Sequence, residues 1–248
     1  MITVGIIGGS GLDDPQMFQK DDTLTVETPY GSPTSELTMG KIQGVDVVHL
    51  ARHGKQHQYS PTQVNYRANI HSLKEAGVTH IIATTACGSL KEEIGRGDLV
   101  ILDQFIDFTR HRKITFHDTF ENGAVHTSMA DPFDVSLRTK IHESALALGL
   151  NVHFGGTVIT IEGPRFSTRA ESNMFRIWGA DVINMSVAPE AILANEAGIP
   201  YAAIAMSTDY DCWKEDEAPV SWDEILEVFN RNAENVKNLL IHTISKIM

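Results

Sequence analysis

Short apolar runs alternate along the chain with stretches whose apolar residues recur at helical spacing. Val4 to Ile7 reads as a buried strand that ends in glycines, and Val45 to Leu50 as a second. Gln63 to Glu75 has helical period and closes at Gly77. His80 to Thr85 is a strand leading into a turn at Ala86-Cys87-Gly88, and Leu99 to Leu102 is a further strand. Ser136 to Leu148 is helical, followed by Gly149. Thr157 to Ile161 is a strand that enters the loop Glu162-Gly163-Pro164. Thr168 to Trp178 is a helix opened by the capping-box spacing Thr168-Arg169-Ala170-Glu171. Val182-Ile183 begins a short strand, and Pro189 sits in the first turn of a helix reaching Ala197. Tyr201 to Met206 is a strand. A second capping box, Ser221-Trp222-Asp223-Glu224, opens a final helix towards Ile247. This alternation of the two periods predicts an α/β fold. No repeat, low-complexity tract or linker divides it, so residues 1–248 are expected to form one domain. Phe105 to Asp131 is the longest irregular piece, and long loops in compact domains are often functional.

Composition narrows the function. The 248 residues are 42% hydrophobic and 21% charged, which is ordinary for a globular domain. The formal charge of -12 argues against nucleic acid and against an anionic membrane. No apolar run approaches the roughly 18 residues of a membrane span, and the first residues lack the pattern of a signal peptide. The two cysteines, Cys87 and Cys212, give neither a metal spacing nor a disulfide framework, so a reducing, cytoplasmic setting is expected. His53 and His57 stand four apart, but no carboxylate completes a site and no HExxH pattern is present. No metal and no cofactor are expected.

The candidate chemistry lies where predicted strands end. Gly8-Gly9-Ser10-Gly11 follows the first strand; its glycines and serine could cradle phosphate, or could simply make a tight turn. Arg52-His53-Gly54 is a candidate anion clamp. Thr84-Thr85-Ala86-Cys87-Gly88-Ser89 offers hydroxyl and amide donors. Asn184-Met185-Ser186 offers a thioether for a sugar or base face and a hydroxyl for an anion, although methionine is more often a core residue. Ser207-Thr208-Asp209-Tyr210-Asp211 places two carboxylates at a strand's carboxyl end, where open α/β sheets bind ligands. Several anion donors with one carboxylate pair suit an anionic nucleophile and a leaving group that needs a proton.

These segments carry a resemblance. Gly5-Ile-Ile-Gly-Gly-Ser-Gly-Leu-Asp-Asp, Ala51-Arg-His-Gly-Lys-Gln-His, Thr84-Thr-Ala-Cys-Gly-Ser-Leu, Thr160-Ile-Glu-Gly-Pro-Arg-Phe-Ser, Trp178-Gly-Ala-Asp-Val-Ile-Asn-Met and Thr208-Asp-Tyr-Asp-Cys-Trp occur in order over almost the whole chain. The sequence resembles the trimeric purine nucleoside and methylthioadenosine phosphorylase family. The resemblance implies a central mixed, twisted sheet flanked by helices, and a homotrimer. The implied reaction is phosphate-dependent cleavage of methylthioadenosine to adenine and 5-methylthioribose 1-phosphate. A relative preferring methylthioinosine, or unsubstituted adenosine or inosine, is the alternative. Inorganic phosphate is then a co-substrate.

The resemblance also implies roles. Phosphate is expected at Ser10, Arg52, His53, Thr85, the backbone of Ala86, and Ser186. Nucleoside is expected at Phe166, Asn184, Met185, Asp209, Tyr210 and Asp211, with Asp209 as the acid for purine N7 and Asp211 assisting it. Ser167, Trp222, Ile225, Leu226 and His126 are the expected specificity positions, and His126 is expected to reach a neighbouring subunit's site. Relatives that act on 6-oxopurines carry asparagine at the position of Asp209 and glutamate near that of Ser167. The pair Asp209 and Ser167 therefore points to a 6-aminopurine, because a carboxylic acid can donate to N7 and accept from the amino group.

Overall fold

The computed structural model describes residues 1–8, 19–121, 123–216 and 221–247. Its strands build one sheet, with eleven strands among the described residues. In chain order they are β1 (Thr3–Gly8), β2 (Gln19–Leu24), β3 (Leu37–Ile42), β4 (Val45–Ala51), β5 (His80–Ser89), β6 (Leu99–Ile101), β7 (Gln104–Phe108), β8 (Val152–Phe154), β9 (Thr157–Ile161), β10 (Val182–Asn184) and β11 (Tyr201–Asp209). The helices are α1 (Tyr66–Glu75), α2 (Val135–Ala147), α3 (Arg169–Ile177), α4 (Val187–Glu196) and α5 (Trp222–Ile244).

The sheet is mixed and it forks at β5. The main path runs β2-β3-β4-β1-β5-β10-β9-β7. β5 pairs in parallel with β1 through residues 80–83 and with β11 through residues 81–88. Its last two residues turn to β10, antiparallel, with Gly88 opposite Ile183 and Ser89 opposite Val182. A second branch continues from β11 to β6 and β8.

Adjacent strand residues face opposite sides, and the two sides bury different helices. Ile7, Val48, Ile81 and Ala83 pack with Ile70 and Leu73 of α1 and Val187, Ala191 and Ala194 of α4. Val4, Ile6, Ile82 and Ile204 pack with Leu137 and Ile141 of α2 and Phe229, Val236 and Leu240 of α5. α3 covers β9 and β10 through Phe175, beside Ile159, Ile183 and Trp213. None of these helices is long and apolar enough to cross a membrane, among the described residues.

Several expectations hold closely. The strand at Thr157–Ile161 has the predicted bounds. Thr168 caps α3, and Glu171 closes a capping box with it. Others change. The Ala86-Cys87-Gly88 segment is not a turn, because β5 runs on to Ser89 to join β10. The stretch from Phe105 begins as a strand, β7, paired in parallel with β9, and the irregular part starts at Thr109. The helix placed from Gln63 begins at Tyr66, after Asn65, whose side chain accepts the Ala68 N–H at 3.2 Å. The edge strands β2 and β8, and β3 between β2 and β4, have no counterpart in the sequence pattern.

Candidate active site

The ends of β4, β5, β9, β10 and β11 converge on one cavity of about 490 Å³. β4 delivers Arg52 and His53, one and two residues past its end. The Arg52 N–H donates to the carbonyl of Gly8 at 3.0 Å, so β1 ends beside this corner. Arg52 is not the surface side chain that composition would suggest; it is 1% exposed. Its Nε and Nη2 donate to the two carboxylate oxygens of Glu190 at 2.5 and 3.0 Å, and Nη1 donates to the Thr84 carbonyl at 2.9 Å. Burial alone would lower the guanidinium pKa, but the Glu190 carboxylate overrides that and raises it, so Arg52 is a permanent cation. A guanidinium has five N–H donors. Three are engaged here among the described residues, leaving two for a ligand.

His53 lies beside that cation. Its Nδ1 is 2.9 Å from the Tyr59 carbonyl, an atom that can only accept, so Nδ1 carries the proton. Burial, and then the charge of Arg52, lower its pKa to about 3. The ring is therefore neutral.

The hydroxyls are oriented by a chain of hydrogen bonds. The Ala188 N–H donates to Thr160 Oγ1 at 3.1 Å, Thr160 Oγ1 to Asn184 Oδ1 at 2.9 Å, and Asn184 Nδ2 to Thr85 Oγ1 at 3.3 Å. With its oxygen accepting from Asn184, Thr85 directs its own proton to the Ala86 carbonyl at 2.9 Å. Ser186 precedes α4 but makes no side-chain cap bond. Its hydroxyl thus stands at a helix N-terminus, where the backbone dipole favours an anion.

The carboxyl groups come from the turn after β11. Asp209 is 7% exposed; its Oδ1 accepts the Asp211 N–H at 2.8 Å and its Oδ2 lies 2.8 Å from Thr208 Oγ1. Burial raises its pKa to about 6, against the lowering effect of those two donors, and the charge of Asp211 adds to the rise. Asp211 has a φ of +48°, a left-handed turn that aims its N–H back at Asp209. Ser167 Oγ lies 3.0 and 2.8 Å from the two oxygens of Asp211. Burial raises that carboxyl too. Gly88 makes room for the pair, since a Cβ there would stand 2.9 Å from Asp209 Oδ1.

The cavity wall includes Arg52, His53, Thr85, Ala86, Phe166, Ser167, Asn184, Met185, Ser186, Asp209, Asp211 and Ile225 of the expected residues. Phe166 is 40% exposed, at the mouth. Three expected residues are not on the wall. Tyr210 turns the other way, edge-on to Trp213 and under the Lys214 ammonium, because residues 209 and 211 take the inward positions. Leu226 follows Ile225 on α5 and a helix turns about 100° per residue, so only Ile225 faces in. His126 packs edge-on against Phe120 in the long loop, away from the cavity of its own chain. Ser10 and the side chain of Trp222 lie outside the described residues.

With that geometry in place, the comparisons with known proteins are decisive. A profile of the phosphorylase superfamily matches residues 3–245. The chain belongs to the phosphorylase superfamily. It is similar to S-methyl-5'-thioadenosine phosphorylase of Xenopus tropicalis, 55% identical, and of Danio rerio, 54% identical; each alignment covers 99% of this chain and 89% of the relative. It is also similar to the solved structure of methylthioadenosine phosphorylase from Schistosoma mansoni in complex with adenine. That match has a TM-score of 0.96 and 42% identity, and covers 100% of this chain and 92% of the other. A variant of the Schistosoma mansoni adenosine/methylthioadenosine phosphorylase, solved with methylthioadenosine, matches with a TM-score of 0.94, 41% identity and the same coverage.

Sequence reading of this phosphorylase-superfamily chain missed residues that act through others. Glu190 fixes Arg52, Thr160 starts the chain that orients Thr85, and Glu162 gathers the surrounding loops. Glu162 accepts from the N–H groups of Arg110 and His111, from Thr62 Oγ1 and from Arg112 Nε, at 2.7–3.1 Å. Those donors outweigh burial and lower its pKa to about 2. Arg112 also donates to Tyr66 Oη at 2.6 Å, and that hydroxyl lies 3.4 Å from the Met185 carbonyl. The signals in the sequence are two acidic residues, Glu190 in the first turn of α4 and Glu162 directly after β9; Thr160 carries none.

Proposed function

We propose that the chain is an S-methyl-5'-thioadenosine phosphorylase, which cleaves its nucleoside with orthophosphate to adenine and 5-methylthioribose 1-phosphate. The carrying observation is that one cavity holds both a fixed cation with oriented hydroxyls and a buried carboxyl whose pKa is raised to about 6. The first set suits an attacking anion. The second can hold a proton near neutral pH and deliver it to a leaving base.

In this reading phosphate is held by the two remaining N–H groups of Arg52, by His53, Thr85, the Ala86 backbone, Ser186 and the α4 N-terminus, with Ser10 as a further donor. It attacks C1' while the glycosidic bond lengthens, and its charge stabilises the oxocarbenium-like sugar. Met185 and Asn184 hold the ribose, and Phe166 covers the base. Asp209 gives its proton to N7 as electron density reaches the purine. Asp211, steadied by Ser167, accepts from the 6-amino group. The Asp211 acceptor disfavours the alternative of a methylthioinosine or inosine substrate, whose 6-oxo group needs a donor. Ile225 and Trp222 of the same chain, with His126 from a second copy, complete the 5' end in a homotrimer, and the unpaired Cys87 and Cys212 suit the cytoplasm. The whole of residues 1–248 serves as one nucleoside phosphorylase domain, with no cofactor.

A substrate panel tests this. Methylthioadenosine, methylthioinosine, adenosine and inosine are assayed with and without phosphate. Methylthioadenosine should be fastest, and turnover should need phosphate. Faster cleavage of the 6-oxo nucleosides, or undiminished cleavage without phosphate, refutes the proposal.

A further inference from the structure

Thr208 occupies an irregular place in β11. Ser207 faces Cys87 of β5 and Asp209 faces Gly88, so Thr208 is the extra residue of a bulge. Neighbours on a regular strand point to opposite sides. Here the bulge brings the adjacent side chains of Thr208 and Asp209 to the same cavity wall, and Thr208 is 1% exposed. Its Oγ1 lies 2.8 Å from Asp209 Oδ2 and 3.2 Å from the Cys87 carbonyl. A hydroxyl has one proton, and both neighbours can accept it.

The proton count separates two states. When Asp209 is ionised, the Thr208 proton goes to Oδ2, the stronger acceptor. When Oδ2 carries a proton, which is directed to the base, the Thr208 proton turns to the Cys87 carbonyl. We propose that Thr208 is a positioning residue whose single hydroxyl proton moves from the Cys87 carbonyl to Asp209 Oδ2 as Asp209 protonates the leaving base. The inference rests on the reading of Asp209 as the acid. In the step, the Oδ2 proton passes to purine N7, the glycosidic electron pair goes to the purine, and a phosphate oxygen bonds to C1'. The Thr208 proton never leaves Oγ1; the O–H bond only rotates. Thr208 thus donates to the carboxylate only as it forms, an interaction stronger in the transition state than in the ground state.

Asp211 on its own turn, Cys87 on β5 and Arg96 in the connection before β6 act electrostatically with Asp209, and Arg52, His53 and His57 line the same cavity. Burial keeps the Cys87 thiol neutral. Asp211 and Arg96 act in opposite directions on the carboxyl.

The test is a carboxyl-carbon NMR titration of the phosphate-free enzyme, with the Asp209 resonance assigned by its absence in Asp209→Asn. Thr208→Val removes the hydroxyl at nearly constant volume, Thr208→Ala is the second hydroxyl-free variant, and Thr208→Ser restores the group. The hydroxyl-free variants should titrate Asp209 roughly one pH unit higher. Their kcat should fall on the order of tenfold with little change in KM, and Thr208→Ser should match the parent. An unmoved midpoint in both hydroxyl-free variants, or an equal shift in Thr208→Ser, overturns the role of Thr208 alone. Near-parental kcat in Asp209→Asn overturns the acid reading, and the inference with it.

Discussion

Glu190→Gln isolates the most concentrated piece of electrostatics in the fold. Glu190 and Arg52 are each 1% exposed, and Glu190 accepts three hydrogen bonds: two from Arg52 and one from Tyr201 Oη at 2.9 Å. Glutamine keeps the shape but removes the charge. Its one oxygen can serve only part of that donor set, and its NH2 meets donors. The buried guanidinium is left without its countercharge, and breaking such a pair from one side costs about 3–5 kcal/mol. A domain of this size loses roughly 2–4 °C of Tm per kcal/mol. The expected drop is therefore roughly 6–20 °C, read by calorimetry at neutral pH without phosphate. Arg52→Met should destabilise as well, since it strands the carboxylate. The double variant, which strands neither charge, should lose clearly less than the sum of the two single losses. A drop below roughly 2 °C in Glu190→Gln, or strict additivity in the double variant, would refute the account of Arg52 as a cation held in place by Glu190.

Two other outcomes follow from the same geometry. The folded pKa of Asp209 is raised from 3.8 to about 6, so the native state holds the proton more tightly than the unfolded chain and loses stability as pH rises through that window. Asp209→Asn should thus melt higher than the parent at pH 8, by about 2–3 kcal/mol, with the gain vanishing below about pH 4, while kcat falls at least about hundredfold; a lower melting point at pH 8 contradicts this. Thr85→Ala removes the hydroxyl oriented by Thr160 and Asn184, and should raise the KM for phosphate roughly tenfold while that for methylthioadenosine barely moves; initial-rate kinetics with each substrate varied decide it.

Much of the frame was legible because burial leaves a direct mark on the chain. β1 and β9 are almost wholly buried and read as short runs dominated by valine and isoleucine, and the Thr168–Glu171 box marks a helix start through purely local hydrogen bonds. β2 was invisible for the opposite reason: Gln19–Leu24 is a charged edge strand paired on one side, with no apolar face to show. The far half of β5 reads as a turn because Gly88 serves clearance around Asp209, and clearance and turning both select glycine. The candidate site divides in the same way. Residues expected at the cavity stand at strand ends and carry distinctive chemistry. Glu190 lies 138 residues from the arginine it fixes, and nothing local announces such a pair. Thr208 was passed over because its role depends on a bulge, a register property that exists only once β11 meets β5.

The fork at β5 bears on how the site can diversify. β5 is held by β1 and β11 over its first residues and by β11 and β10 at its end, so a change along it must be accommodated by the strands paired there. Phe166, Ser167 and Ile225 stand off the sheet, on a loop, a helix entry and a helix face. New substrate preferences should therefore arise first at these three positions. The strand that carries Thr85 and Gly88 behaves as an anvil: the reacting groups are set against it, and variation falls on the pieces that close over it.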